Sequence, residues 1–347
     1  MSELRHFHLN LPFSLESGIE LPGLTLGYTT LGALNNEGSN VVWVCHALTG
    51  NTAADVWWKE LFVPGGVFDP EKYFVVCANA PGGCYGSTGP LSLNPLNEKK
   101  YYHDFPEVTN RDIVKSFDLL RCHLGINRIF CLIGGSLGGQ QVLEWAIQSP
   151  DLFTTIIPVA CNAWHSSWGV AFNESQRMAI EADQTWKLHE DHAGQSGLKA
   201  ARAIAMLSYR SYPVYEKNQP VGSDEKLTGF RAASYQRYMG EKLSARFNAF
   251  SYYRLTQAMD SHHVGRGRVS VELALKGITA KTLVIGIDHD LLFPVLEQKF
   301  LAKYIPGATY AELKTPYGHD GFLVEFSQLS QIIRSFLNSL IKNYKSS

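Results

Sequence analysis

The stretch RIFCLIGGSLGGQQVLEWAIQ, residues 128–148, contains the pattern that decides the fold. It begins with an apolar run that ends at Gly134, and a helical pattern follows from Gln140. The small residues between them, GGSLGG at 134–139, suit a strained turn in which backbone segments approach closely. A G-x-S-x-G serine after a strand and before a helix is typical of an exposed nucleophile, so we predict that role for Ser136. The alternative is an ordinary turn in which the serine only caps the helix.

Short apolar runs bounded by Gly, Pro or Asn recur on both sides of this stretch. Continuous β-branched and aromatic runs are typical of parallel strands that are covered on both faces. Helical patterns lie between the runs, and NRDIVKSFDLLRCHLG (110–125) places Ile113, Val114, Phe117 and Leu120 on one face. This alternation predicts a parallel sheet with helices on both sides. The apolar runs of the first half are VVWVCHA (41–47), YFVVCAN (73–79), RIFCLIG (128–134) and TTIIPVA (154–160), and the strand-like runs KTLVIGI (281–287) and ATYAELK (308–314) follow near the C-terminus.

The alternation is interrupted between about residues 162 and 279. This segment contains helix-compatible stretches such as GLKAARAIAMLSYRS (197–211) and SARFNAFSYYRLTQAMD (244–260), and no convincing buried strand. We therefore predict an α/β-hydrolase fold with a mostly parallel central sheet and an inserted helical cap. The core would comprise residues 1–162 and 280–347, and the cap residues 163–279.

Partners for Ser136 follow in the chain order that this fold requires, with an acid and then a histidine after the last strand. His319 directly follows the strand-like run ATYAELK, in YGHDGF (317–322), and is the predicted general base. Asp288 and Asp290 both follow the run KTLVIGI. Asp290 stands four residues before Pro294, which we expect at the first helical position, and this spacing favours Asp290 as the acid.

An oxyanion site needs two backbone amides. The amide of Leu137, at the N-terminus of the helix that follows Ser136, is one candidate. The second is expected from HALTG (46–50), and either Leu48 or Thr49 could supply it. We interpret His46 as a structural hydrogen-bonding residue and not as a second base.

Composition excludes several other classes of protein. The formal net charge of −1 over 347 residues gives no electrostatic basis for binding nucleic acid or an anionic membrane. The N-terminal sequence has no apolar stretch of signal-peptide length, and the six cysteines show no CxxC spacing. His262, His263 and Asp260 lack further ligands at helical spacing, so we expect no metal site. These features together predict a soluble cytoplasmic protein.

Six blocks of sequence together resemble the homoserine O-acetyltransferase family of α/β-hydrolase-fold enzymes. The resemblance extends from about residue 10 to 340, and it implies transfer of acetyl from acetyl-CoA to the hydroxyl of L-homoserine in methionine biosynthesis. It further implies acetyl-CoA as a co-substrate with no permanently bound cofactor, and a homodimer joined through the caps. The blocks are VVWVCHALTGN (41–51), YFVVCANAPGGCYGSTGP (73–90), FPEVTNRDIV (105–114), IGGSLGGQQVLEWA (133–146), AMDSHHVGRGR (258–268) and YGHDGFLVE (317–325).

The resemblance also assigns roles to individual residues. It implies that Ser136, Asp290 and His319 form the catalytic triad, and that Leu48 and Leu137 donate the oxyanion amides. Family members more often carry methionine where this chain has Leu137, and the exchange is conservative.

Two further residues gain substrate-binding roles from the resemblance. Arg210 matches an arginine that binds the amino-acid carboxylate, and a guanidinium can hold a carboxylate with two hydrogen bonds. Asp320 matches the aspartate that binds the substrate ammonium group. The alternatives are a salt bridge within the cap for Arg210 and the N-cap of the last helix for Asp320.

Related chemistries remain open at this stage. Enzymes with the same blocks use succinyl-CoA, or use serine or deacetylcephalosporin C as acceptor, and an ester hydrolase could use the same triad. We interpret Arg266 and Arg268 as pairing the cap with the core in preference to binding phosphates of CoA.

Overall fold

Eight strands form one central sheet in the computed structural model, which describes residues 3–345. Each of the six apolar runs overlaps one of these strands, so the sequence located most of the sheet. The strands are β1 (Arg5–Leu9), β2 (Leu24–Leu31), β3 (Val41–Cys45), β4 (Phe74–Ala78), β5 (Ile129–Gly135), β6 (Phe153–Val159), β7 (Lys281–Ile287) and β8 (Thr309–Leu313).

The strand order across the sheet is β1-β2-β4-β3-β5-β6-β7-β8. Strand β2 pairs antiparallel with both β1 and β4, and all other neighbours are parallel. The prediction of a mostly parallel central sheet is therefore confirmed. Because parallel strands end at the same edge, the loops after β3, β5, β7 and β8 meet on one side of the molecule.

Helices cover both faces of this sheet, and α1 begins with a capping box in which Thr109 and Asp112 each accept a hydrogen bond from the other's backbone amide. No helix within residues 3–345 is long and apolar enough to span a bilayer. The labelled helices are α1 (Asn110–His123), α2 (Leu137–Gln148), α3 (Ser167–Glu181), α4 (Gln195–Tyr209), α5 (Tyr212–Asn218), α6 (Arg231–Ser244), α7 (Ala249–Asp260), α8 (Val271–Lys276), α9 (Val295–Tyr304) and α10 (Phe326–Lys345).

Large aromatic side chains fill the space on each side of the sheet. On one side the ring of Trp43, from β3, packs edge-on against Trp145 of α2, with ring centroids 5.1 Å apart. On the other side Trp58 packs against Phe322 and donates a hydrogen bond from Nε1 to its carbonyl oxygen at 2.8 Å. The second contact anchors the loop that carries His319 to the body of the protein.

The helices α3 to α8 all lie between β6 and β7, in the segment that the sequence predicts to be a cap. Arg266 pairs with Glu16 at 2.8 Å, and Arg268 pairs with Glu144 at 2.5 Å. The expected pairing of these arginines with acidic residues outside residues 163–279 is thus confirmed. The division into a core and a cap stays a prediction.

Glu144 is the most enclosed carboxylate in these contacts. Its side chain is only 1 % exposed, and Arg111 lies 3.1 Å from it in addition to Arg268. Glu144 belongs to α2, the helix that begins directly after Ser136, and its carboxylate pairs with two guanidinium groups from other parts of the chain.

Glu144→Ala should lower the free energy of unfolding by about 3 kcal/mol, because it leaves the partly buried Arg268 without its carboxylate partner and Arg111 with Glu16 alone. Urea denaturation measures this change. The matched control is Glu241→Ala, which removes an exposed pair with Lys199 (2.9 Å) and should cost about 1 kcal/mol or less. Equal losses in the two variants would contradict the argument.

Candidate active site

The turn at Ser136 has the backbone geometry expected of a nucleophile between a strand and a helix, and the serine is buried, with only 4 % of its surface exposed. Strand β5 ends at Gly135 and α2 begins at Leu137, which leaves Ser136 between them with φ 59° and ψ −125°. A positive φ is strained for a residue with a side chain, and such strain is concentrated at functional sites. The Ser136 amide donates to the carbonyl of Val159 at 3.0 Å, which helps to hold the turn in place.

The helix after this turn packs directly on the end of β3. A Cβ atom on Gly138 would lie 2.1 Å from the carbonyl oxygen of Cys45, so only glycine fits there. The first turn of α2 therefore lies against the segment HALTG, residues 46–50.

The predicted acid and base are in direct contact. His319 Nδ1 donates to Asp290 Oδ2 at 2.7 Å, and both side chains are buried. The other carboxylate oxygen of Asp290 accepts the backbone amides of Leu292 and Phe293, each at 2.8 Å. These bonds fix the carboxylate and leave Nε2 of His319 as the nitrogen free to act on a hydroxyl.

Asp288 has a different environment. Its Oδ1 accepts the backbone amide of Thr315 at 2.6 Å, a contact that ties the end of β7 to the loop after β8. Of the two carboxylates that the sequence offered, the structure brings Asp290 to His319 and gives Asp288 a structural contact. Pro294 directly precedes α9. The prediction that it occupies the first position of this helix is therefore wrong.

The turn at Ser136 and the loop of His319 meet at Phe322. A Cβ on Gly135 would lie 2.6 Å from the Phe322 ring, whose centroid is 5.6 Å from that of His319. The nucleophile and the base therefore lie on the same carboxyl edge of the sheet, where ligands bind in open α/β folds.

The environment of His319 favours its protonated form. Burial alone would lower the pKa of the imidazole, but the charge of Asp290 and its hydrogen bond raise it above the ordinary histidine value. The nearby charge of Asp320 acts in the same direction. His319 is thus suited to accept a proton during reaction.

The amides of Leu48 and Leu137 are available for an oxyanion. Among the backbone hydrogen bonds of residues 3–345, neither amide has an acceptor. His46 holds the loop from beneath, since its Nε2 accepts the amide of Ala80 at 3.1 Å and its Nδ1 donates to the carbonyl of Ala47 at 2.8 Å. Burial lowers the pKa of His46, consistent with a neutral structural role.

Arg210 and Asp320 form an ion pair beside the triad. Arg210 Nε lies 3.0 Å from Asp320 Oδ2, although its N–H does not point at that oxygen. Both alternatives from the sequence are wrong: the partner of Arg210 lies outside residues 163–279, and α10 begins at Phe326, beyond capping range of Asp320.

A small cavity opens next to this ion pair. Its volume is about 260 Å³, and Arg210, Tyr215 and Tyr317 contribute to its wall. A larger cavity of about 840 Å³ lies at the opposite edge of the sheet, where Arg128 and Lys281 stand at the starts of β5 and β7. Neither cavity is lined by Ser136, Asp290 or His319, so the candidate site is located by these side chains and not by cavity size.

These features can be compared with known proteins. Residues 40–326 match the family model of the alpha/beta hydrolase fold. A homoserine O-acetyltransferase of Cyclobacterium marinum is 50% identical over 330 residues, which cover 95% of this chain and 94% of that protein. A second one, of Chlorobaculum parvum, is 46% identical and covers 95% and 93%. The chain belongs to the homoserine O-acetyltransferase family.

Solved structures extend this comparison. A homoserine O-acetyltransferase of Bacillus anthracis superposes with a TM-score of 0.91 at 25% identity, covering 97% of this chain and 98% of that one. Esterase E22 superposes with a TM-score of 0.87 at 24% identity, covering 97% and 100%. The esterase likeness shows the fold alone.

Sequence reasoning missed one acidic group near the triad. Glu297, in the first turn of α9, accepts a hydrogen bond from Asn162 Nδ2 at 3.1 Å, and burial raises the pKa of its carboxyl to about 7. No signal in the sequence distinguishes it from an exposed residue at a helix N-terminus. Within the described part of the chain, no group of three His, Cys, Asp or Glu side chains could hold a metal ion.

The raised pKa of His319 predicts a pH dependence. The neutral imidazole is the proposed base, so the rate at which p-nitrophenyl acetate acylates Ser136 should fall as the pH decreases. The midpoint of this fall should lie above pH 6.5. Asp290→Asn should shift that midpoint to lower pH and slow the reaction by about 10⁴-fold.

Glu297→Gln is the control for this measurement, because the Glu297 carboxyl titrates in the same range. The variant should keep the midpoint of the parent protein. A fall that disappears in Glu297→Gln, or whose midpoint lies below the ordinary histidine pKa, would contradict the assignment of His319.

Proposed function

We propose that this chain transfers the acetyl group of acetyl-CoA to the hydroxyl of L-homoserine, by way of an acetyl ester on Ser136, in methionine biosynthesis. The observation that carries the proposal is the 50% identity, over almost the whole length of both chains, to a protein named homoserine O-acetyltransferase. The contact between Asp290 and His319 on the same edge as Ser136 supports it chemically.

The first half-reaction acetylates the enzyme. His319 Nε2 takes the proton of Ser136 Oγ as this oxygen attacks the thioester carbonyl carbon. The amides of Leu48 and Leu137 hold the oxyanion of the tetrahedral intermediate. The carbon–sulfur bond then breaks, and CoA leaves with the proton from His319.

The second half-reaction transfers the acetyl group. The homoserine hydroxyl gives its proton to His319 and attacks the ester carbonyl, and the bond to Ser136 Oγ breaks as His319 returns a proton to that oxygen. Water competes for the same ester. The acceptor must therefore be held in near-attack geometry, where effective molarities reach about 10⁵ M or more.

The ion pair of Arg210 and Asp320 suits an amino-acid acceptor. Homoserine carries one carboxylate and one ammonium group, so it can exchange one protein ion pair for two pairs with the same residues. A neutral ester offers neither charge. This difference favours the transferase over a carboxylic-ester hydrolase, which the fold alone would allow.

We also propose the surroundings of the reaction. Residues 163–279 act as a cap, and two copies join through it into a cytoplasmic homodimer. Several apolar side chains in this segment are more than half exposed, and a partner would cover them. They are Met178, Leu207, Tyr212, Leu227 and Tyr238.

Incubation with acetyl-CoA alone should give an intact mass increased by one acetyl group, and Ser136→Ala should abolish it. L-homoserine should discharge the adduct, whereas L-serine should not, and succinyl-CoA should give no adduct. If no amino acid releases CoA from acetyl-CoA while simple esters turn over, the protein is an ester hydrolase. A succinyl adduct would instead identify a succinyltransferase.

Arg210→Ala should weaken the acceptor step and spare acylation. A hydrogen bond to a charged group contributes about 1.5–3 kcal/mol, so its loss should raise the KM for homoserine by about 10- to 100-fold. Without Arg210 the charge of Asp320 is no longer balanced and would raise the pKa of His319 further. The rates are therefore compared at alkaline pH, where His319 is neutral in both proteins. The control is Arg202→Ala, in the helix α4 that ends directly before Arg210. Equal loss in both half-reactions would exclude a carboxylate-binding role for Arg210.

A further inference from the structure

Arg246 lies between α6 and α7 and reaches the segment that carries the Leu48 amide. Its Nη1 donates to the carbonyl of Thr49 at 2.7 Å and to the hydroxyl of Tyr85 at 2.5 Å. The ring of Tyr85 packs edge-on against Phe247, with centroids 5.6 Å apart. An arginine from residues 163–279 is thus bonded to the backbone of the predicted oxyanion loop.

Two rigid peptide groups connect this arginine to the Leu48 amide. A trans peptide is planar, and its carbonyl and N–H point in opposite directions. The carbonyl of Thr49 shares its peptide plane with the amide of Gly50, which donates to the carbonyl of Ala47 at 2.8 Å. That carbonyl in turn shares its plane with the N–H of Leu48. The direction of the Leu48 amide therefore depends on where Thr49 is held.

The loop has one support from the core and one from the helical segment. From the core, His46 Nδ1 donates to the Ala47 carbonyl at 2.8 Å. From the helical segment, Arg246 fixes the Thr49 carbonyl. Without Arg246 the Thr49–Gly50 peptide would keep the bond from its amide to the Ala47 carbonyl but would lose the bond to its own carbonyl.

We propose that Arg246 is a positioning residue that orients the Leu48 amide for the oxyanion by anchoring the Thr49–Gly50 peptide. The inference rests on the proposed acyl transfer at Ser136. Because Arg246 belongs to the helical segment, the position of that segment on the core sets the geometry of the oxyanion site. Catalysis therefore depends on a contact that touches no substrate.

The test compares two acyl donors in Arg246→Ala. The reactions of acetyl-CoA and p-nitrophenyl acetate both form a tetrahedral intermediate whose oxyanion occupies the same site. We therefore expect kcat to fall about tenfold for each donor, with little change in KM. This loss is smaller than the ~10²–10³ expected when an oxyanion donor is deleted, because the Leu48 amide is still present. Tyr85→Phe, which removes one acceptor of the guanidinium, should give a smaller decrease of the same kind.

The matched control is Arg254→Ala. Arg254 also donates from the helical segment to a core carbonyl, that of His103 at 2.6 Å, but far in sequence from the oxyanion loop. A similar loss of thermal stability in the two variants, with kcat reduced only in Arg246→Ala, supports positioning. Partial recovery of kcat by Arg246→Lys, or by added guanidinium ion at low concentration, supports it further and shows that the variant is folded.

Three results would overturn the inference. An increased KM for acetyl-CoA with unchanged reaction of p-nitrophenyl acetate would make Arg246 a binder of CoA phosphates. Unchanged kcat for both donors, or an equal decrease in Arg254→Ala, would give it no specific role. Failure of the parent protein to take acetyl from acetyl-CoA would contradict the proposed function, yet the ester reaction would still measure the effect of Arg246.

Discussion

A backbone held at positive φ at Ser136 is the constraint on which the rest of the candidate site depends. The serine keeps this conformation because α2 lies against the end of β3, and that contact exists only because residue 138 is glycine. The same packing sets the Leu137 amide beside the loop that carries Leu48. The positions of the proposed nucleophile and of the proposed oxyanion donors therefore depend on one close approach between a helix and a strand end.

The sequence predicted what depends on local pattern and chain order. Strands β3 to β7 lie inside the sheet and show as largely apolar runs, whereas β1 and β8 are edge strands, and the polar residues of β1 give no such signal. The chain order of Ser136, Asp290 and His319 could likewise be recognised from the sequence. The choice between Asp288 and Asp290 required the backbone amides that hold each carboxylate.

Contacts between distant parts of the chain could not be predicted in this way. Arg210 and Asp320 are 110 positions apart, and the sequence suggested a separate role for each without indicating that they pair. Arg246 and Thr49 are more distant still, and an exposed arginine after a helix has no distinguishing pattern. The roles of such residues depend on the packing of the helical segment on the sheet. Composition and periodicity therefore do not predict these roles.

The position of the helical segment between β6 and β7 has a consequence for synthesis on the ribosome. Domains emerge from the N-terminus onward, so the strand and helix around Ser136 are made before α3 to α8, whereas Asp290 and His319 come after them. A nascent chain thus carries its serine without a base until nearly the whole polypeptide has been translated. The residues proposed for thioester cleavage are complete only after α3 to α8 have also been made.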